Sequence, residues 1–147
     1  QGLIDGYILY LNPLQRFASN ALWAELQARR EPIIALRTVG GGPVYRLRNV
    51  RGAAWSPYIQ QRAVEVTPIF ERSGILNWTE FCLRYAHSLP QVRATIGATA
   101  KPKNLREYLA AAQPPLEPLP ADIVSDLSAL HTRWSDEVDM RAEPWTM

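Results

Sequence analysis

Cysteine occurs once in this chain, at Cys82, so an internal disulfide framework and a cysteine-built metal cluster are both excluded, and a reducing, cytoplasmic setting is expected. Histidine is almost as scarce. His87 and His131 lie far apart and fall within helical patterns, which leaves no footing for a metal site or a histidine-based catalytic pair within the chain. No apolar run approaches the ~20 residues that span a bilayer, so no membrane role is expected. Charge of one sign is lacking too: 16 Lys and Arg against 14 Asp and Glu leave a net +2, too little to argue for nucleic acid or an anionic surface. The start, QGLIDGYILYL, lacks an initiating Met and the charged flank and cleavage site of a signal peptide, and it reads as if cut from something longer.

What is present is an alternation of short apolar strands and amphipathic helices. Leu3 to Leu11 is a mostly apolar run rich in strand formers, as expected of a strand buried on both faces, and Asn12-Pro13 ends it. Asn20 offers an N-cap to a helix reaching Arg30, and Pro32 to Leu36 reads as a second strand ending at Arg37-Thr38. The stretch from Gly40 to Trp55 has no period and carries Arg46, Arg48 and Arg51, a loop long enough to be functional or merely solvated, with too few aromatics to stack RNA bases. Ser56-Pro57 opens a helix along Ile59, Ala63, Val66 and Phe70, with Pro68 expected to kink it. Asn77 and Glu80 resemble a capping box for a helix whose stripe is Trp78, Cys82, Tyr85 and Leu89, which makes Cys82 a small core residue. After a proline-rich connector from Gln113 to Pro120, Asp122 begins a last helix that docks through Ile123, Leu127, Leu130, Trp134 and Val138.

Between these lies the stretch that carries most chemistry, Val92 to Ala112. A strand from Val92 to Ile96 crosses Gly97 and delivers its C-terminal end to a helix starting at Pro102, with Leu105 and Leu109 on one face. Free N–H groups and the helix dipole at such a point attract anions, and Thr99, Lys101, Lys103 and Arg106 add a hydroxyl and three cations. The bland alternative is an ordinary βα unit with a solvated basic edge.

Three parallel strands alternating with helices restrict the fold to an α/β class, either an open doubly wound sheet or a (β/α)8 barrel. A complete barrel takes ~250 residues, so this chain would hold only part of one.

The order of motifs resembles the C-terminal half of the aldo/keto reductase family. IDGYILYLNPLQR is similar to the family's sixth strand with its YNLLDR-like ending, and PIIALRTVGGG to the seventh strand with its V-I-A-x-x-P-L-G-x-G loop. RAVEVTPIFERSGILNWTEFCLRYAHSLPQV resembles the helix pair ending in a LALRWVLSHPGV-like segment, and TIGATAKPKNLREYLAAA the eighth strand and the P-E-x-L-x-E-N helix. The resemblance implies a partial TIM (β/α)8 barrel, its last three βα units (strands six to eight) over residues 1–112, with the connector, docking helix and tail of the same domain over 113–147. It also implies an NAD(P)-dependent oxidoreductase that moves hydride to or from a small carbonyl or alcohol substrate, once completed by a missing N-terminal half.

On this resemblance the adenosine phosphate of the cofactor meets Thr99, Ala100 and Lys101 and the following helix at Asn104, Glu107 and Tyr108, while Thr38, Gly40, Gly41 and Gly42 cover the pyrophosphate and Leu36 faces the nicotinamide. The family's catalytic Asp, Tyr, Lys and His come from its first four strands, so no catalytic residue is expected in this chain. Departures accompany the match. Leu36 stands where an aromatic often stacks on the nicotinamide, Ile8 where a Gln often binds its carboxamide, Asn104 where a cation commonly grips the 2′-phosphate, and Tyr108 where an Asn contacts adenine. Lys101 tips the expected cofactor towards NADP over NAD. The alternative is a catalytically silent, barrel-derived binding or assembly subunit; a standalone phosphate-binding module stands third.

Overall fold

A computed structural model describes residues 4–40 and 57–141. They form an open, mixed four-stranded sheet with five helices. In chain order these are β1 (Tyr7–Asn12), β2 (Gln15–Arg16), α1 (Asn20–Arg29), β3 (Ile33–Leu36), α2 (Pro57–Arg72), α3 (Trp78–His87), β4 (Val92–Ile96), α4 (Pro102–Ala111) and α5 (Ala121–Arg141). The sheet order is β2-β1-β3-β4. β1, β3 and β4 pair in parallel as expected, and β2 is a two-residue antiparallel return on β1 that the Asn12-Pro13 break makes possible.

Register sorts the side chains onto two faces. Leu11, Ile33, Ala35 and Val92 point into a core shared with Val66 and Phe70 of α2, Phe81, Cys82 and Tyr85 of α3, and Ile123, Leu127 and Trp134 of α5. The opposite face carries two cross-strand rows, Ile8–Ile34–Ala94 and Tyr10–Leu36–Ile96. These are apolar throughout, yet Ile8 is 58% and Ile96 44% exposed. β1 therefore departs from the expectation of a strand buried on both faces: among the described residues, helices cover one side alone. Arg93 is the extra residue that shifts the register between β3 and β4.

Local chemistry explains the helix ends. Ser19, not Asn20, caps α1 by accepting from the Leu22 N–H, because Asn20 is drawn instead to Arg16, Asp136 and the Thr132 carbonyl. Asn77 caps α3 as expected through the Glu80 N–H, whereas the Glu80 carboxylate turns to Arg84. Pro68 does not break α2, which runs as one helix from Pro57 to Arg72. The expected Ser56 cap lies outside the described residues, as does the loop carrying Arg46, Arg48 and Arg51. Residues 113–120 are fastened to α3, where Arg84 donates to the carbonyls of Glu117 and Pro118 and Ser88 Oγ accepts from the Leu119 N–H. α5 then docks through Ile123, Leu127 and Trp134 of its stripe, with Val138 outside the described side chains, and is tied to α2 by the Arg72–Asp126 and Arg133–Glu65 ion pairs.

Among the described residues, no helix is long and apolar enough to cross a membrane.

Candidate functional site

The C-terminal ends of β1, β3 and β4 open into a cleft of about 870 Å³. Strand ends of this kind are where parallel α/β sheets hold ligands, because loops and helix N-termini converge there. The floor is the Tyr10–Leu36–Ile96 row, and the walls come from Trp78 and Thr79 of α3 and from Asn104, Glu107 and Tyr108 of α4.

The residues after β3 are fixed by side chains from three directions. Thr38 is fully buried and donates its hydroxyl to the Ala35 carbonyl at 3.1 Å. Trp78 Nε1 donates to the Gly40 carbonyl at 2.9 Å. Asn12, also fully buried, donates Nδ2 to the Arg37 carbonyl at 3.0 Å while its Oδ1 accepts from the Leu14 N–H at 2.9 Å. A Cβ on Gly40 would sit 2.9 Å from Asn12 Nδ2, so the glycine is required by close approach. Its backbone hydrogen-bonds to Cys82, in a contact that favours the thiolate; burial outweighs this and pushes the thiol pKa well above its ordinary value. Cys82 is the inert core residue its helical stripe suggested, and Gly40 serves the packing of this corner with both of its backbone polar groups engaged.

Arg37 has φ of 49°, in the left-handed region that costs a non-glycine residue about 1–2 kcal/mol. The hydrogen bond from Asn12 to its carbonyl offsets part of this. Its guanidinium carbon lies over the Tyr10 ring, 4.5 Å from the centroid.

Across the cleft, the turn after β4 is built around Thr99, whose Oγ1 accepts from the Lys101 N–H at 3.2 Å and from Asn104 Nδ2 at 3.4 Å. Lys101 takes the N-cap position of α4 without any side-chain cap, and Pro102 follows at the first helical position, which removes one of the donors a phosphate could use. A Cβ on Gly97 would meet the Tyr108 ring at 2.7 Å, so glycine lets that ring lie against the turn after β4, where the Tyr108 hydroxyl donates to Thr95 Oγ1 at 3.0 Å. Glu107 is held by Thr79 Oγ1 at 2.8 Å and by Asn77 Nδ2 at 3.4 Å. Leu105 and Leu109 remain 49% and 53% exposed. The apolar stripe of α4 is therefore not a buried one, although Leu105 lines the cleft.

Of the residues singled out from sequence, Leu36, Thr38, Gly40, Thr99, Asn104, Glu107 and Tyr108 all line this one cleft. Ala100 and Lys101 are exposed on the turn outside its lining, and Gly41 and Gly42 lie outside the described residues. Sequence reasoning missed Tyr10, Asn12, Arg37 and Trp78. The available signal was position, since Tyr10, Asn12 and Arg37 stand at strand ends.

Among the described residues, no group of three or more His, Cys, Asp or Glu is placed to hold a metal ion. His131, buried on α5, instead faces the Pro13 carbonyl at 2.9 Å. No protein-family model, curated protein or solved structure matches the chain.

Proposed function

We propose that this chain is the C-terminal, cofactor-binding portion of an aldo/keto reductase-like (β/α)8 barrel, with β1, β3 and β4 as its sixth, seventh and eighth strands. The observation that carries the reading is the open apolar face, Ile8–Ile34–Ala94 and Tyr10–Leu36–Ile96, ending in a ligand-sized cleft at the C-terminal ends of its strands. Inward faces of barrel strands are apolar and are filled by the strands opposite, while barrel ligands bind at this end. The three parallel strands also pair in sequence order, without the reversal at which a doubly wound sheet holds its ligand.

On this reading the protein completed by its N-terminal half transfers hydride between NADP or NAD and a small carbonyl or alcohol in the cytoplasm. Thr99, Asn104, Glu107 and Tyr108 line the adenosine side of the cleft and Leu36 and Thr38 the nicotinamide side, with Lys101 reaching the 2′-phosphate from outside. The cofactor supplies the hydride chemistry; this chain's residues bind and orient it. Titrating the chain with NADP+ and NAD+ while following tryptophan fluorescence, to which Trp78 in the cleft wall contributes, tests the reading. Saturable binding without turnover of aldehydes or ketones is expected, and no binding of either dinucleotide overturns it.

The second reading, a silent barrel-derived binding subunit, is favoured by Leu36 and Ile8, which offer a nicotinamide neither a stacking ring nor an amide. Retained dinucleotide binding with no activity in the completed protein would select it.

A further inference from the structure

Arg37 does not fit the packing role of its neighbours. Arg37 is a partly exposed residue that lines the cleft, and among the described residues it forms no ion pair with a carboxylate. The acid on the cleft wall, Glu107, is engaged by Thr79 and Asn77 instead. An arginine that lines a cleft without a carboxylate partner keeps its N–H groups for water or for a ligand. Here Cζ lies over the Tyr10 ring, 4.5 Å from its centroid, and among the described residues no carboxylate takes the guanidinium N–H groups. The backbone beneath is in a left-handed conformation that glycine would adopt at no steric cost.

We propose that Arg37, stacked on Tyr10, is the anion-holding group of this cleft, and that its ligand presents an oxyanion, a carboxylate or a phosphate, at the ends of β1 and β3. A planar guanidinium with a free edge matches either group by two parallel N–H···O bonds. The inference goes beyond the dinucleotide reading and does not depend on it, since any oxyanion-bearing ligand of the cleft would meet the same edge.

Equilibrium dialysis of the whole chain against inorganic pyrophosphate and, separately, oxalate tests it. Wild-type protein is expected to bind at least one probe saturably. Arg37→Gly and Arg37→Gln should each weaken that binding about ten- to a hundredfold, the loss of a charge-assisted pair. Arg37→Gly should do so while its unfolding midpoint holds or rises, because glycine accepts the positive φ. Arg29→Gln, which removes a surface cation paired to Glu25 on α1, should change neither probe. Pyrophosphate binding alone assigns the anion to a phosphate, and oxalate binding alone to a carboxylate. Unchanged affinity in both Arg37 variants, equal loss in Arg29→Gln, or no saturable binding by the wild type overturns the proposal. Arg37-dependent anion binding in a chain that ignores NADP+ and NAD+ would remove the dinucleotide reading and leave this one standing.

Discussion

The two faces of one sheet are apolar to a similar degree and have opposite fates. On the helix side, Ile33 and Ala35 are fully buried beneath α2 and α3; one residue along the same strand, Ile34 and Leu36 face a surface that no described helix covers. Alternation along a strand ordinarily means apolar in and polar out. Here both registers are apolar, yet the described helices cover the first face alone, and Ile8 and Ile96 on the second are exposed. The packed core lies on the first face, and the cleft opens at the strand ends of the second.

The sharpest way to break the comparison is to truncate one residue of the helix-side core and one on the open face. Phe81 is fully buried, with its ring 5.0 Å from Phe70 and 5.5 Å from Trp78. Phe81→Ala should cost about 3–5 kcal/mol in urea unfolding, the usual loss for an aromatic deleted from a packed core. Ile8→Ala should cost less than about 1 kcal/mol, since its side chain is already mostly in solvent. Ile8→Lys should leave stability similar and reduce self-association on size exclusion, because the charge opposes docking on an apolar face beside a strand edge. Comparable destabilisation from Phe81→Ala and Ile8→Ala would show that the second face is covered in solution.

A smaller effect sharpens the packed side. His131 is buried against Tyr85 and Trp134, with the cations Arg16 and Arg62 close by. The Pro13 carbonyl can only accept, so Nε2 carries the proton and Nδ1 is left as a buried acceptor without a partner. Burial foremost, and then the two arginines, hold the imidazole pKa down at about 3 against an ordinary 6.5. The unfolded chain therefore binds a proton that the folded one refuses between those values, and stability rises with pH across that window. As pH falls from 6.5 towards 3, this site should remove stability on the order of 1 kcal/mol per pH unit. Unfolding free energies at pH 7, 6, 5 and 4 for wild type and His131→Gln measure it as a difference in slope. Parallel slopes would mean that His131 is hydrated and titrates normally.

How much of this was legible in the sequence follows from the range of the interactions. Strands, helices and the Asn77 cap are local, and hydrophobic period and capping chemistry reveal them. The cap of α1 was misread because Asn20 and Ser19 are both good caps, and the choice was made by Asp136 and Thr132, more than a hundred residues away. The one-sided burial of the sheet could not be read either, since a strand apolar in both registers looks the same whether its second face is covered or open. In the cleft, the residues after β4 were found because a strand running into a helix is a local signal. Tyr10 lies on β1 and Arg37 directly follows β3, and their contact depends on the parallel register of the two strands.

The smallest expected effect separates the two sides of the cleft, the Arg37 rim and the Thr99 turn. Lys101 is exposed, its own N–H is bound to Thr99, and its ammonium lies outside the cleft lining, so solvent screens whatever it attracts. If the adenosine end of a dinucleotide rests on this turn, Lys101 can reach a 2′-phosphate without touching the rest of the cofactor. Lys101→Ala should then weaken NADP(H) by about 1 kcal/mol, the low end for a hydrogen bond to a charged group at an exposed site, and leave NAD(H) nearly unchanged. Calorimetric titration of both cofactors into wild type and variant reads the difference. Equal losses would reduce Lys101 to a residue that shapes the Thr99 turn, and no loss for either would move the adenosine away from α4.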